Sequence, residues 1–467
     1  MKKGLLFLLI VLSISAHARI ILPAVISSNM VLQQQSPVKL WGWANPGEKI
    51  FITTSWNNQT DSVVTTGNAN WQLVLHTPKA GGPYTITLKG SNMIVLDNVL
   101  LGEVWVCSGQ SNMEFNYYYA GQKDITVELP IANHPNIRFF NIPKTTSAYP
   151  QDDCRAQWVN CDSNTLKNFS AVGYFFGKKL QQDLNVPIGL VNASWGGTPA
   201  EAWTPAERVY ESDILKQAAA KQKQNPWWPI TPGYTYNGMI APITNYTIAG
   251  AIWYQGESNT NTYAAYSDLF TTMISAWRKQ WDKDFPFYYV QIAPYKYGNK
   301  NVGILLREQQ TKSLSLPGVD MAVITDLVAD TNNIHPPDKH DVGMRLADLA
   351  LAETYHQNLA GYHSPMYKSL AVDGNKAIIT FDNAPNGLMV KGKSITPIYI
   401  AGEDKVFYPA EAKIKNGQLI VWSKQVKHPV AVRYAFSNTA MGNLYSKEGL
   451  PVSPFRTDDW PMDTSAL

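Results

Sequence analysis

Cysteine is scarce in this chain. The three present, Cys107, Cys154 and Cys161, are an odd number spread over 467 residues, so a disulfide framework cannot organise the fold. No CxxC, HxH or HExxH spacing occurs, and the chain is expected to need no metal and no cofactor. Charge is sparse too: Asp, Glu, Lys and Arg make up 16% of residues, with a formal net charge of +3. That balance offers no basic stripe for nucleic acid and no polybasic patch for an anionic membrane. Beyond the first residues there is no long apolar run, so no later segment reads as membrane-spanning.

What is present is apolar and aromatic. Hydrophobic residues reach 45%, with 15 Trp and 24 Tyr, enough for large cores and inconsistent with disorder. Residues 1–18 have the form of a signal peptide. Lys2 and Lys3 precede the apolar run from Leu5 to Leu12, and Ala16-His17-Ala18 fits a small-x-small cleavage site. The expected mature chain starts at Arg19 and is periplasmic or secreted, with no membrane insertion once the signal is removed. An oxidising compartment would permit a Cys154–Cys161 bridge. Cys107, at the end of an apolar strand, is expected to be buried and inert.

The hydrophobic period divides the chain. Residues 19–98 alternate with period two between turn clusters such as Asn45-Pro46-Gly47, as expected of a small β-sandwich. Residues 99–363 alternate strands with helices. Strands are expected at 99–107, 137–141, 188–193, 248–254, 287–292 and 319–325, and helices at 168–184, 263–280, 301–313 and 338–356. That alternation predicts a parallel sheet covered on both faces, a three-layer αβα domain. From 364 to 467 the period returns to two, marking a second β domain. No low-complexity linker separates the parts, so they are expected to pack together.

Ligands of an open parallel sheet bind beyond the carboxyl ends of its strands. Four polar clusters fall at such ends: Ser108 to Met113, Ser194 to Thr198, Gln255 to Asn259, and Asp326 through Asp330 to Ile334-His335-Pro336. Together they offer a hydroxyl, flexible glycines, side-chain amides and an imidazole. Acyl transfer needs those parts: an activated nucleophile, a proton acceptor and donors for the tetrahedral oxyanion. Read singly, each has a plainer explanation. Ser111 is a turn serine, Gly196-Gly197 permits a tight turn, and Glu257 is a carboxylate at a helix start.

In their order along the chain, several blocks resemble the sialate O-acetylesterase family of SGNH hydrolases. They are Gly102-Glu103-Val104-Trp105 through Met113, Tyr236-Asn237-Gly238-Met239-Ile240-Ala241-Pro242, Trp253 through Asn259, Ile334-His335-Pro336, and Asn443 through Pro451 with Phe455-Arg456-Thr457. The resemblance covers nearly all of the mature chain. It implies an SGNH α/β domain with flanking β domains, and removal of acetyl groups from a carbohydrate partner. Acetylated sialic acid and an acetylated polysaccharide such as xylan are both open as substrate.

The resemblance also implies roles. Ser111 is the nucleophile and His335 the base. The oxyanion donors are the Ser111 N–H, an N–H of Gly196 or Gly197, and the amide of Gln255 or, second, Asn259. Asn112, Glu257 and Asn259 are candidates for substrate binding, and Trp227-Trp228 for a sugar-binding rim. One position departs from the pattern: Asn332 stands where the family usually carries an aspartate, three residues before the histidine. Asp330, nearest on the same loop, is the first candidate for the missing acid, ahead of Asp326 and Glu257. Two other readings compete, a non-catalytic carbohydrate-binding protein and a serine hydrolase of other acyl esters. Retention of Ser111, Gln255 and His335 speaks against the first, and polar loops in place of a broad apolar lid against the second.

Overall fold

The computed structural model describes residues 19–467, so the expected signal segment lies outside the described residues. Seven strands form the central sheet: β1 (Met93–Gly109), β2 (Asn133–Asn141), β3 (Trp158–Asp162), β4 (Ile188–Ser194), β5 (Gly250–Tyr254), β6 (Phe287–Val290) and β7 (Val319–Ala322). Their order is β7-β6-β5-β1-β4-β2-β3. All neighbours are parallel except β2 and β3. The chain leaves β1 to build one side of the sheet and crosses back past it to build the other, which opens a crevice beyond the end of β1.

Alternation along each strand loads both faces with apolar side chains. Val104 and Val106 of β1, Trp253 of β5 and Tyr289 of β6 enter one apolar cluster. Trp105, Cys107, Ile252, Tyr254 and Tyr288 enter the other. The helices around this sheet include α1 (Ser111–Glu114), α2 (Ala171–Leu184), α3 (Tyr266–Trp281), α4 (Val302–Lys312) and α5 (His340–Leu349). Val172, Phe176 and Leu180 of α2 and Val342 and Leu346 of α5 cover one face. Met273 and Trp277 of α3 and Leu306 of α4 cover the other. The Ser170 hydroxyl caps α2 by accepting from the Gly173 N–H at 3.0 Å, and Asn185 ends it in the left-handed region at φ +53°.

β1 is longer than its apolar pattern implies, at 17 residues. Its first half pairs antiparallel with Gly81–Lys89, and Val31–Gln33 joins it in parallel. One strand thus belongs to both the N-terminal sheet and the central one. A single apolar cluster runs from Leu40, Trp71 and Val99 to Trp253 and Phe287. The C-terminal strands form two four-stranded sheets and a two-stranded ribbon around their own core, which includes Ile379, Val421 and Tyr434. Arg456 ties this part to α4, with Nε and Nη2 donating to the Glu308 carboxylate at 2.7 and 2.9 Å.

The Cys154–Cys161 bridge, which the sequence left open, is not formed, and all three thiols are free. Cys161 sits inside the edge strand β3, its backbone paired with that of His134, and burial pushes its thiol up to about 12. Among the described residues no helix is long and apolar enough to cross a membrane.

Candidate active site

The site begins with the sharp turn after β1. Gly109 has φ +136°, and a Cβ there would lie 2.2 Å from the Tyr254 carbonyl oxygen, so only glycine fits. Gln110 follows in extended conformation, its N–H donating to the Tyr254 carbonyl at 3.0 Å. Ser111 then opens α1, half-buried at the crevice. Among the described residues the Ser111 N–H meets no acceptor.

His335 arrives on the loop between β7 and α5. Its Nε2 lies 2.8 Å from Ser111 Oγ. The ring sits against Phe115 and Tyr119, with centroid distances of 6.0 and 5.7 Å. Burial first, and then the Lys339 ammonium, pull the imidazole down to about 4, against an opposing pull from Glu114. The ring is therefore neutral at ordinary pH. A neutral imidazole whose Nε2 faces a hydroxyl is placed to take its proton.

A buried network holds the loop. The Asn112 amide donates to Glu257 Oε1 at 2.6 Å and to the Ile334 carbonyl at 3.1 Å. Its oxygen accepts from Lys339 Nζ at 2.8 Å, and the same ammonium donates to the Pro336 carbonyl at 2.6 Å. The carbonyls on both sides of His335 are thus tied to the residue that follows Ser111. Burial lowers the Lys339 ammonium and raises the Glu257 carboxyl, and each partly offsets the other's shift by charge attraction.

Several expected roles are not compatible with these positions. Asp330 does not reach the imidazole; it is solvent-exposed and accepts from the Asn332 backbone and side-chain amides, both at 2.9 Å. Asp326 is gripped by Arg345 through bonds of 2.7 and 2.8 Å. The Gln255 amide is spent inside the protein, donating to Asn259 Oδ1 at 2.7 Å and the Thr198 carbonyl at 3.3 Å, so it is not free for an oxyanion. Asn259 in turn donates to Glu201 at 2.8 Å and accepts from the Ala200 N–H at 2.9 Å. Asn112, Glu257 and Asn259 are all buried. They support the site from behind and do not line it for substrate.

The glycine pair splits. The Gly196 N–H donates to Glu114 Oε2 at 2.5 Å, which removes it as a free oxyanion donor. The Gly197 N–H has no acceptor among the described residues. Gly197 has φ +81°, and a Cβ there would fall 2.1 Å from the Trp228 ring. Trp228 therefore packs flat against the glycine turn beside Ser111. Trp227 is 77% exposed at the rim, and its carbonyl accepts from Trp195 Nε1 at 3.2 Å.

Sequence reading passed over Glu114 and Lys339. Glu114 lies one helical turn after Ser111 and also accepts from Lys144 Nζ at 2.7 Å. Lys339 follows His335 by four residues. For Glu114 the i+3 spacing was the available signal, since such residues share a helix face. Lys339 offered none, because His335 lies on a loop and only Lys339 adjoins the helix. Among the described residues one group has metal-binding donors, Asp320, Glu353 and His363, with atoms within 4.8 Å of one another. It lies at the β7 edge away from Ser111. His363 already pairs with Asp320 at 2.9 Å, and Tyr362 donates to Glu353 at 2.6 Å.

Comparison with known proteins places this chain among the carbohydrate esterases. The profile described as "Carbohydrate esterase, sialic acid-specific acetylesterase" matches residues 101–352, more than half of the chain, and the chain belongs to that family. Sialate O-acetylesterase of Pongo abelii is 31% identical over 393 residues, covering 76% of this chain and 75% of the relative. The Homo sapiens protein of the same name is 30% identical with the same coverage. A crystal structure titled as a novel carbohydrate acetylesterase from Xanthomonas citri aligns over 95% of this chain and all of that one, with a TM-score of 0.86 and 36% identity.

Proposed function

We propose that this protein hydrolyses acetyl esters on sugar hydroxyls through an acetyl-enzyme, with Ser111 as nucleophile and His335 as general base and then acid. The observation that carries the proposal is the 2.8 Å contact between Ser111 Oγ and a neutral His335 Nε2. Ser111 Oγ attacks the acetyl carbonyl as its proton passes to His335 Nε2. The tetrahedral oxyanion is met by the Ser111 and Gly197 N–H groups, the donors beside the nucleophile without an internal acceptor. His335 returns the proton to the departing sugar oxygen, leaving acetyl-Ser111. Water, deprotonated by His335, then releases acetate. Each oxyanion donor contributes on the order of 10²–10³ in rate.

No carboxylate hydrogen-bonds the His335 ring among the described residues, so the reading is a Ser–His dyad. The dyad is held by backbone clamps where a third side chain would otherwise orient the ring. The reading assigns residues 99–363 to a three-layer SGNH hydrolase domain, 19–98 and 364–467 to flanking β domains, and the mature chain to the periplasm or the exterior. It gains support from the family, whose named relatives are sialate O-acetylesterases, and from the Xanthomonas citri acetylesterase.

The test is acetate release from p-nitrophenyl acetate, acetylated sialic acid and acetylated xylan by wild type and Ser111→Ala. The variant should be inactive while its circular dichroism is unchanged. Wild-type turnover in Ser111→Ala would refute the assignment. Faster hydrolysis of octanoyl than of acetyl esters would move it to another acyl hydrolase.

A further inference from the structure

A second cleft, of about 820 Å³, lies between the N-terminal strands and the hydrolase half, within the size range of ligand sites. One wall is the outward face of the ribbon made by Pro37–Trp43 and Asn70–His76. Its register sets Trp41 opposite Gln72 and Trp43 opposite Asn70. The inward face carries Val38, Leu40, Trp71 and Leu75 into the core. The outward face of such a ribbon ordinarily carries polar residues alone. Here the half-buried Trp43 stands beside the exposed amides of Asn70 and Gln72, while Trp41 is buried and belongs to the core.

The facing wall is the segment 148–152, with Tyr149 standing 77% exposed. This segment is pinned in place. The Gln151 N–H donates to the Asn237 carbonyl at 3.0 Å, and the Asn237 amide donates to the Ser147 carbonyl at 3.1 Å. Flat aromatic faces beside planar amides match the alternating C–H faces and hydroxyl edges of sugar rings. The lining includes Asp152 and Glu207 and no Lys, Arg or His, so a carboxylated sugar is repelled and a neutral one is not. A few residues before this segment lies Lys144, which bonds Glu114 beside Ser111. Six residues from Lys144 to Pro150 span at most ~22 Å, a distance an oligosaccharide covers.

We infer that this cleft binds a neutral glycan chain, and that it holds the polysaccharide whose acetyl group reaches Ser111. Glycan binding stands on the cleft alone; its use in catalysis rests on the esterase reading above.

The experiment measures binding of xylohexaose, cellohexaose, mannohexaose and sialyllactose by calorimetry to wild type, Tyr149→Ala and Trp43→Ala. Tyr399→Ala, exposed on the C-terminal domain, serves as control. At least one neutral hexaose should bind, and each cleft variant should weaken it by about tenfold, the loss of one stacked aromatic face. KM for acetylated xylan should rise in parallel, with p-nitrophenyl acetate turnover unchanged. Tyr149 is on the surface, so its variant answers even if Trp43→Ala fails to fold. Absence of binding by every neutral hexaose, equal binding by Tyr149→Ala, or preference for sialyllactose would overturn the inference. Hexaose binding that is lost in Tyr149→Ala while the wild type hydrolyses no ester would sink the esterase reading and leave the cleft standing.

Discussion

Lys339→Met tests the buried network behind the base. The ammonium is fully buried and donates at 2.8 Å to Asn112 and at 2.6 Å to the Pro336 carbonyl. Methionine fills similar volume without the charge. Two acceptors lose their donor, and the Glu257 carboxylate, also buried, loses the cation that offsets its charge. Each buried acceptor left without its donor costs about 1–3 kcal/mol, more where charge is involved. The loop should then relax around His335, and a 1 Å misplacement of a catalytic group costs on the order of 10²-fold in rate.

Urea unfolding and kcat/KM on p-nitrophenyl acetate should therefore both fall for Lys339→Met. Adding Glu257→Gln removes the orphaned charge, so the double variant should recover part of the stability. The cycle of Lys339→Met, Glu257→Gln and the pair should show a coupling of about 2 kcal/mol. A single variant within about 1 kcal/mol of wild type, at full activity, would refute the network's role in placing the base. So would strict additivity of the two substitutions.

Two further outcomes follow from the same geometry. His335 must be neutral to take the serine proton, and burial holds its pKa at about 4, so kcat/KM should persist through mildly acidic pH and fall only near that value. A limb at or above the ordinary ~6.5 would mean that a carboxylate reaches the ring in solution. Asp330→Asn should stay within about twofold of wild-type turnover, as expected for an exposed side chain that bonds only its own loop. A severe loss in steady-state assays would place Asp330 back on the imidazole.

The longer strands and helices of residues 99–363 were legible where they follow a local period, while short helices such as Lys123–Glu128 and Asp213–Ala219 were not read. Phe287–Val290 and Val302–Lys312 fall inside the segments read from apolar spacing. The edge strand Trp158–Asp162 was not legible, since it pairs on one side only and alternates weakly. Nor was the long reach of Met93–Gly109, whose first half alternates like the N-terminal strands and whose second half is apolar throughout. One pattern change was read there as a boundary, while the backbone runs straight through it.

The local sequence determined which residues stand at the crevice. Gly109 must turn before Ser111, because any side chain there meets the Tyr254 carbonyl, and the polar blocks fall at strand ends where a parallel sheet leaves them accessible. Which way their side chains face was decided only by tertiary structure. Gln255 and Asn259 satisfy each other and Glu201, a partner 58 residues from Asn259, so two amides in an exposed-looking motif are buried supports. Asp330 lies five residues from His335, yet its own turn holds it away, while Ser111 meets His335 across 224 residues. A hydrogen bond depends on distance and direction in space. Chain separation predicts neither once strands and helices have packed.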